Sequence, residues 1–503
     1  MVRALCAWRL AGCRLLFSFI AFVSLSCSVF AATLFCQISS FAPDEHSFKV
    51  SCTVSDLPTT EKVELRFLDR FAGIERLNDR IFGLQIRDSE GQRRLPEILG
   101  NGVYRVDPGD TRNLTVDYEM RLARLTGAAA DPGRYALTSS LGPQSGFLLL
   151  SDILPTVCSA ARLDCAPQPV RLKLLLPDAW QVATTEIESS GAFDVADLAR
   201  AVFLVGRLEQ QTIQVGAMSL QVALAGEMNL AMEQILPLVE AIARQQATFI
   251  GSREEGKFLV TLAPFPVALT GLRSSALTRG RSVIMLLNPE SNDLEAKRTL
   301  ALYQKHLAHE MFHFYLPESF VARENFDWFW EGFTRYVALL TLNKLRLISL
   351  REYLDELGFE FDAYKANSLR DRLSLIAASQ GKFSSAASYD LLYHKGTLVA
   401  GLYDLELRVQ SKGSKTVLDV MRDLYANYRQ REVGNQTVLA MLRKTGKFDS
   451  FVRDYIEGTK SIDLSDFAKP MGFTVDNASG RVRLNVAKKL SSQQNALLAP
   501  LGH

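Results

Sequence analysis

The sequence lacks a marked excess of charge of either sign. Its 57 lysine and arginine residues nearly balance 55 aspartate and glutamate residues, which leaves a net charge of +2, and it has no long basic run. Binding to nucleic acid or to an anionic membrane surface therefore has no electrostatic support. The 48% share of hydrophobic residues is ordinary for a soluble globular protein. A chain of 503 residues is too long to fold around a single compact core, so two or three domains are expected.

Cysteine is scarce outside the N-terminal segment. Three of the seven cysteines fall within the first 32 residues, and four remain in the rest of the chain. This even remainder in two close pairs predicts the disulfides Cys36–Cys52 and Cys158–Cys165, which are typical of an exported protein. Neither pair has the Cys-x-x-Cys spacing, so the sequence offers no four-cysteine metal site.

A long apolar run, "LLFSFIAFVSLSCSVFAA", covers residues 15–32 and follows the basic residues Arg3, Arg9 and Arg14. This order of basic, apolar and small residues predicts a secretory signal peptide over residues 1–32. An uncleaved anchor is the alternative, because about eighteen apolar residues can just span a bilayer. The protein is accordingly expected to be exported, either periplasmic or secreted, with no stable membrane insertion if the signal is cleaved.

Hydrophobic patterning divides the rest of the chain. Residues 33–225 contain short alternating or apolar segments separated by Gly, Pro and Asp, which predicts a β-sandwich-like domain. Residues 226–345 mix helical and strand patterns, and residues 346–462 show apolar stripes at helical spacing. Residues 463–503 form a short polar tail. The sequence therefore predicts the α+β class, with a β-rich domain first and a mostly helical region last.

The sequence also has few histidines, and half of them lie in one short segment. Three of the six histidines lie within residues 306–313, in a segment predicted to be helical from about residue 294 until Pro317. Two of them form the HExxH pentapeptide His309-Glu310-Met311-Phe312-His313. Residues four apart share one helical face, so both imidazoles can reach one ion, and the glutamate between them can accept a proton from water.

A second segment, "WFWEGFTRYVALLTL" at residues 328–342, is predicted as an apolar helix with Glu331 near its start. A lone acid among aromatic side chains is costly to bury without a partner, and a catalytic zinc site needs three protein ligands. Seventeen residues separate His313 from Glu331, enough for a second helix to return alongside the first. A helix-start carboxylate favoured by the macrodipole would explain the position but not the aromatic surroundings. The residues therefore favour His309, His313 and Glu331 as metal ligands.

These two segments, together with "YDLLYHKGTLVAGLYDLELRVQSKGSKTVLDVMRDLY" at residues 389–425, resemble the glycyl aminopeptidase family of gluzincin zinc metallopeptidases. The matching motifs are HExxH, Trp-x-x-Glu-Gly-Phe-Thr-x-Tyr and Tyr-x-Lys-Gly, with a weaker similarity in "DAWQVATT" at residues 178–185. The resemblance implies a thermolysin-like catalytic domain, one Zn²⁺ ion and a peptide or protein substrate. It also implies that Glu310 is the general base and that Tyr393 donates to the oxyanion.

The resemblance fails at the motif just before the zinc helix, where members show Gly-Gly-Leu-Glu-His and bind the substrate's free amine with the glutamate. The matching stretch, "ALTGLRSSALTRGRS" at residues 268–282, has Arg273 in the place of that glutamate, and Gly271 and Arg273 are its candidate substrate-binding residues. A cation repels an ammonium group, so specificity for free N-termini is not expected. Either cleavage is internal or has another end preference, or Arg273 binds an acidic group of the substrate, or Arg273 points to solvent. Many members also continue into a PDZ domain, for which too few residues remain here.

His306 bears on the alternative function, a non-catalytic peptide-binding or assembly protein that retains a structural zinc site. Structural sites usually have a fourth protein ligand, and His306 is the residue placed to provide one. Because it lies on the same stripe as His309, we expect it to support the ligands rather than to bind the ion. Nothing in the sequence indicates the oligomeric state.

Overall fold

The structure is a computed structural model. It describes residues 32–58, 61–122, 131–161, 165, 168–226, 230–271, 273–288, 293–477 and 480–502. The predicted signal peptide lies outside these residues except for Ala32. Within the described ranges, no helix combines the length and the apolar character needed to cross a membrane.

The N-terminal part of the molecule is built from β-strands that pack around a core of alternating side chains. The strands are β1 (Thr33–Ala42), β2 (Ser47–Ser55), β3 (Val63–Arg66), β4 (Ile81–Asp88), β5 (Glu97–Gly100), β6 (Val103–Val106), β7 (Leu114–Arg121), β8 (Ser140–Leu141), β9 (Ser145–Leu149), β10 (Thr156–Ser159), β11 (Val170–Leu174), β12 (Gln181–Thr184), β13 (Ile187–Ser189), β14 (Ala192–Val195) and β15 (Val202–Gly206). Their sheets have the orders β13-β14-β11-β1-β2-β7-β4, β10-β3-β6-β5 and β12-β15-β9-β8. Side chains along β2 and β7 alternate between buried and more exposed, as expected for strands with one face on a core.

Both predicted disulfides are present in this region. Cys36 on β1 and Cys52 on β2 lie directly opposite each other, with Cα atoms 4.1 Å apart. Cys158 and Cys165 close a short loop after β10. The pairing inferred from the two close cysteine pairs is therefore confirmed.

A mixed sheet follows and supports the candidate site. Its strands, in the order β16-β17-β18-β20-β19, are β16 (Leu208–Val215), β17 (Ala217–Ala225), β18 (Glu255–Pro264), β19 (Arg273–Arg279) and β20 (Ser282–Asn288). Helix α1 (Met232–Ile250) connects the parallel strands β17 and β18, and α2 (Asp293–Phe312) follows β20. Strand β19 is antiparallel to β20 and forms one edge. Because β16 and β17 precede residue 226, this sheet extends across the predicted boundary between residues 225 and 226.

Helices dominate the C-terminal part and share one apolar core with the mixed sheet. They are α3 (Asp327–Trp330), α4 (Gly332–Lys344), α5 (Leu350–Ala366), α6 (Leu375–Gln380), α7 (Ala386–Gln410), α8 (Val417–Tyr428), α9 (Asn435–Lys444), α10 (Asp449–Phe451), α11 (Leu464–Met471) and α12 (Ser492–Leu498), with a π-helical turn at Val452–Glu457. Short strands pair β21 (Val321–Ala322) with β22 (Glu432–Val433), and β23 (Phe473–Asp476) with β24 (Arg483–Val486).

The segment predicted as a polar tail is part of this helical core. Leu464, Met471 and Leu498 are buried there together with residues of α4 and α7. The β-rich N-terminal part and the helical C-terminal part confirm the predicted α+β class.

Candidate metal centre

Helix α2 brings two histidines to the same point. His309 lies in its last turn, and His313 follows immediately after Phe312, where the helix ends four residues earlier than the sequence predicts. The His313 N–H still donates to the Glu310 carbonyl at 3.1 Å, so the turn continues past the end of the helix. As a result the two Nε2 atoms lie 3.1 Å apart.

Glu331 completes the group from the junction of α3 and α4. Its Oε2 lies 3.3 Å from Nε2 of His309 and 3.6 Å from Nε2 of His313. The sequence predicts one continuous helix over residues 328–342, whereas the structure has two helices that meet at Glu331. The carboxylate therefore projects from the junction toward α2.

Helices α4 and α7 approach each other closely at this junction. A Cβ added to Gly332 would lie 2.5 Å from the backbone carbonyl carbon of Gly396, and one added to Gly396 would lie 3.0 Å from the Trp328 carbonyl oxygen. Only glycine fits at such a contact. The two glycines thus let α7 pass directly beside the junction that carries Glu331.

The three donor atoms fit a zinc ion. Among the described residues, His309, His313 and Glu331 form the group whose ligand atoms lie close enough to share an ion. Nδ1 of His313 is 2.7 Å from the Leu316 carbonyl oxygen, so it donates its proton there and leaves Nε2 free to bind a metal. Two imidazole nitrogens and one carboxylate form a donor set that zinc accepts, with a position left open for a further ligand.

Lys382 is a neighbour of the group that the sequence does not reveal. Its Nζ lies 2.9 Å from Oε1 of Glu331 and 3.0 Å from Oδ2 of Asp327, and all three side chains are largely buried. Burial opposes ionisation of Glu331, but Lys382 and the two histidines together hold its pKa well below the ordinary value. Burial likewise opposes a charge on His313, but Glu331 raises the pKa of that imidazole to about 9. Glu331 therefore pairs with Lys382 through Oε1 and presents Oε2 to the candidate metal position.

Glu310 is aimed at the edge strand. The Thr278 hydroxyl on β19 donates to Oε2 of Glu310 at 2.8 Å and lies 2.7 Å from the Glu310 backbone carbonyl oxygen. Glu310 is only 8% exposed, yet it lines a cavity. The hydroxyl holds one carboxylate oxygen and leaves the other available to the cavity.

Tyr393 on α7 lines the same cavity. Its ring centroid lies 4.6 Å from that of Tyr389, one turn earlier on the helix. Burial, together with the nearby negative charge of Glu331, raises the pKa of Tyr393 well above its ordinary value. The phenol of Tyr393 therefore stays protonated.

The cavity has a volume of about 620 Å³, within the range typical of small-molecule and peptide sites. It lies between β19, α2, α4, α5 and α7. Its walls include Gly133, Ser274, Ser275, Ala276, Leu302, Lys305, His306, His309, Glu310, Arg335, Ala338, Leu339, Leu342, Glu356, Phe359, Tyr389, Asp390, Tyr393 and His394.

His306 is placed in the cavity wall and not with the three ligand atoms. Its Nδ1 lies 3.0 Å from the Ser274 hydroxyl oxygen of β19. Burial, with the adjacent positive groups, lowers the pKa of His306 to about 4, so the imidazole is neutral. Its expected role as a support for the ligands stays a prediction.

The structure does not bring Arg273 and Gly271 into the cavity. Arg273 is exposed at the start of β19, opposite Asn288, and the Gly271 carbonyl accepts a hydrogen bond from the Asn288 amide at 2.9 Å. The part of β19 that lines the cavity is Ser274–Ala276 instead. Among the three earlier possibilities for Arg273, its position agrees with a side chain directed to solvent.

No family model matches the sequence, and no curated protein matches it. Solved structures do match. An aminopeptidase N family protein from Idiomarina loihiensis matches with a TM-score of 0.75 and 19% identity, covering 88% of this chain and 79% of that one. An M1 zinc metallopeptidase from Deinococcus radiodurans matches with a TM-score of 0.52 and 17% identity, covering 86% and 95%. A mutant of that metallopeptidase bound to a Tyr-Ser-Ala substrate matches with a TM-score of 0.52 and 16% identity, with the same coverage.

The chain shares the fold of these metallopeptidases. Identities below 20% establish the fold and not the activity, because one fold can host unrelated functions. The activity therefore has to be inferred from the site.

Proposed function

We propose that the protein is a zinc metallopeptidase of the gluzincin type that hydrolyses peptide bonds with one Zn²⁺ ion. The observation that supports it most is the meeting of His309, His313 and Glu331 beside a cavity lined by Glu310 and Tyr393. The shared fold with zinc metallopeptidases, one of them solved with a tripeptide substrate, agrees with this activity. The motif resemblance to glycyl aminopeptidases supports that narrower family assignment.

The ion would be held by the two imidazole nitrogens and the Glu331 carboxylate. When bound at such a site, zinc acts as a Lewis acid that lowers the pKa of water and polarises a carbonyl oxygen. Lys382 holds the second oxygen of Glu331, so the carboxylate is oriented before the ion arrives.

Glu310 and Tyr393 would perform the proton transfer and the charge stabilisation. Glu310, oriented by the Thr278 hydroxyl, removes the proton from the attacking water and returns it to the amide nitrogen that leaves. The protonated phenol of Tyr393 donates to the oxygen that becomes negative in the transition state.

The composition of the cavity wall supports cleavage that does not require a free N-terminus. The stretch of β19 that faces the cavity consists of Ser274, Ser275 and Ala276, so it offers no carboxylate to an ammonium group. The wall carboxylates other than Glu310 are Glu356, which pairs with Lys305, and the exposed Asp390. We therefore expect peptides with blocked N-termini to be cleaved, by internal hydrolysis or with another end preference.

The decisive experiment combines zinc quantification with cleavage of a mixed peptide library by the purified protein. We expect one zinc per chain and hydrolysis that stops on chelation. Glu310→Gln should retain zinc but lower kcat by about a hundredfold to ten-thousandfold, the usual contribution of a general base.

Glu240→Gln is the matched control, because Glu240 is on the exposed part of α1 and pairs with Arg244. The proposal would be wrong if the zinc-loaded protein cleaved nothing in the library. Cleavage confined to free N-termini would leave the peptidase assignment intact and overturn the specificity.

The alternative, a binding protein with structural zinc, has less support. A fourth protein ligand would be needed, and His306 is held by Ser274 and stands outside the described group of ligand atoms.

We also propose that the protein is exported, as a periplasmic or secreted enzyme. The two disulfides observed here form and persist in oxidising compartments. Mass spectrometry of the native N-terminus would distinguish a cleaved signal peptide from a retained tether.

A further inference from the structure

Arg335 lies in the cavity wall one helical turn beyond the metal ligand Glu331. Its backbone N–H donates to the Glu331 carbonyl at 2.9 Å, so the two side chains leave neighbouring turns of the same helix face. Its side chain is 32% exposed and lines the cavity. A guanidinium is therefore presented close to the candidate catalytic group.

A buried carboxylate forms an ion pair with this guanidinium. Nη2 of Arg335 lies 2.7 Å from Oε1 of Glu360 on α5, whose side chain is only 1% exposed. The other oxygen of Glu360 lies 2.6 Å from Nδ1 of His394, the residue after Tyr393. Glu360 does not line the cavity, whereas Arg335 and His394 do. Arg335 and His394 therefore line the cavity, whereas the carboxylate that pairs with both of them does not.

The other cation of the wall is arranged differently. Lys305 pairs with Glu356, and both side chains line the cavity. That pair presents both charges to a substrate and has little net attraction for an anion. The Arg335–Glu360 pair presents only the donor side.

We propose that Arg335 binds a carboxylate of the substrate and that Glu360 is the residue that positions it. This inference rests on the proposed peptidase function and names its substrate class. Arginine suits the role because its rigid fork offers several N–H donors, and the ion pair with Glu360 involves only Nη2. The carboxylate can be the C-terminal α-carboxylate of a short peptide or the side chain of Asp or Glu.

The surrounding wall limits which residue sits beside that carboxylate. Leu302, Leu339 and Phe359 form an apolar surface in the same cavity. A peptide that places an apolar side chain there, and a carboxylate next to it, satisfies both parts of the wall. We therefore expect short peptides with an apolar residue near the acidic group to be preferred.

The test uses binding, so that it does not depend on catalysis. Zinc-loaded Glu310→Gln protein is titrated by calorimetry with one apolar tetrapeptide in three forms. The first has a free C-terminus, the second has an amidated C-terminus, and the third has an amidated C-terminus and one glutamate residue with a free side-chain carboxylate. We expect at least one carboxylate form to bind about tenfold or more tightly than the uncharged form. The form that gains the affinity identifies the source of the carboxylate.

Substitution of Arg335 should then abolish that preference. Arg335→Gln in the same background is expected to bind all three forms within about twofold of each other. Arg335→Gln combined with Glu360→Gln removes both charges and avoids an unpaired buried carboxylate, and it should give the same result. Arg351→Gln on the exposed side of α5 is the control and should keep the preference.

Two results would overturn the inference. One is equal affinity for all three peptides in the parent protein. The other is a carboxylate preference that survives both Arg335 variants, since it would then come from the zinc ion or from another residue. If the three peptides bind as expected but wild-type protein cleaves none of them, the proposed hydrolysis fails while the carboxylate site stands.

Discussion

At the scale of single residues, the site divides into side chains that the sequence can reveal and side chains that it cannot. His309, His313 and Glu331 belong to local motifs whose spacing follows from metal chemistry, and the structure brings their donor atoms together. Lys382 belongs to no motif and reaches Glu331 from 51 positions downstream. A contact that tertiary packing makes between distant residues leaves no local sequence pattern, so the role of Lys382 could not be predicted from the sequence.

The position of Lys382 predicts how zinc affects stability. Lys382→Met removes the cation that pairs with the buried carboxylates of Asp327 and Glu331. The metal-free protein should lose about 3–5 kcal/mol of unfolding free energy, the usual cost of an uncompensated buried charge. Zinc should then raise Tm more in the variant than in wild type, because the ion becomes the main positive charge near Glu331.

Thermal unfolding with and without zinc measures this difference. Lys297→Met, an exposed position on α2, is the control and should behave like wild type. An equal zinc-dependent increase of Tm in Lys382→Met and wild type would contradict the prediction.

At the scale of elements, hydrophobic patterning located strands well and element ends less well. Strands β1 to β17 lie within residues 33–225, the segment that is predicted to be β-rich. The apolar segment at residues 328–342 has the pattern of one helix, but the chain breaks at Glu331. The periodicity of apolar residues indicates which face of a helix is buried, but a break of one residue between two helices does not change that pattern. The sheet that crosses residue 225 shows the same limit, since strand partners are set by non-local pairing.

The contact between α4 and α7 gives an element-scale prediction. Gly332→Ala places a Cβ 2.5 Å from the backbone of Gly396, so the two helices must separate. We expect a loss of about 1–3 kcal/mol of unfolding free energy, the usual cost of overpacking, and a fall in kcat as Tyr393 moves away from the ligands.

Gly142→Ala provides a matched comparison, because its added Cβ would meet its nearest atom at an ordinary 3.5 Å. Chemical denaturation and peptide hydrolysis should separate the two variants. Wild-type stability and kcat in Gly332→Ala would show that the helices are not tightly constrained here.

At the scale of the whole molecule, the N-terminal β-rich part is joined directly to the site. Arg200 pairs with Glu318, just after the histidine motif, at 2.7 Å. The buried Ser275 hydroxyl on β19 donates to the Gly133 carbonyl and accepts from the Ala136 N–H, each at 2.9 Å. The N-terminal part therefore also holds the edge strand whose Thr278 hydroxyl contacts Glu310.

Ser275→Ala tests this connection. It removes one hydroxyl that satisfies two backbone groups, so we expect a loss of about 1–3 kcal/mol of stability. Hydrogen exchange of β19 should accelerate. Hydrolysis should fall as well, because Thr278 on the same strand orients Glu310.

Ser282→Ala on the neighbouring strand β20 is the control. Ser282 is equally buried, but its hydroxyl has no partner among the described atoms, so the change should be nearly neutral. Similar stability and exchange in both variants would show that Ser275 does not couple the two parts.

The distribution of the site along the chain has a consequence for how preparations of this protein are judged. The three proposed metal ligands lie within 23 residues, at the end of α2 and at the α3–α4 junction, whereas Tyr393 comes from α7, 62 residues beyond Glu331. A molecule in which α7 has detached would retain every proposed ligand atom but lack Tyr393, the proposed oxyanion donor. Metal content would then overestimate the active fraction, and an active-site titration would be the sounder measure of correctly folded protein.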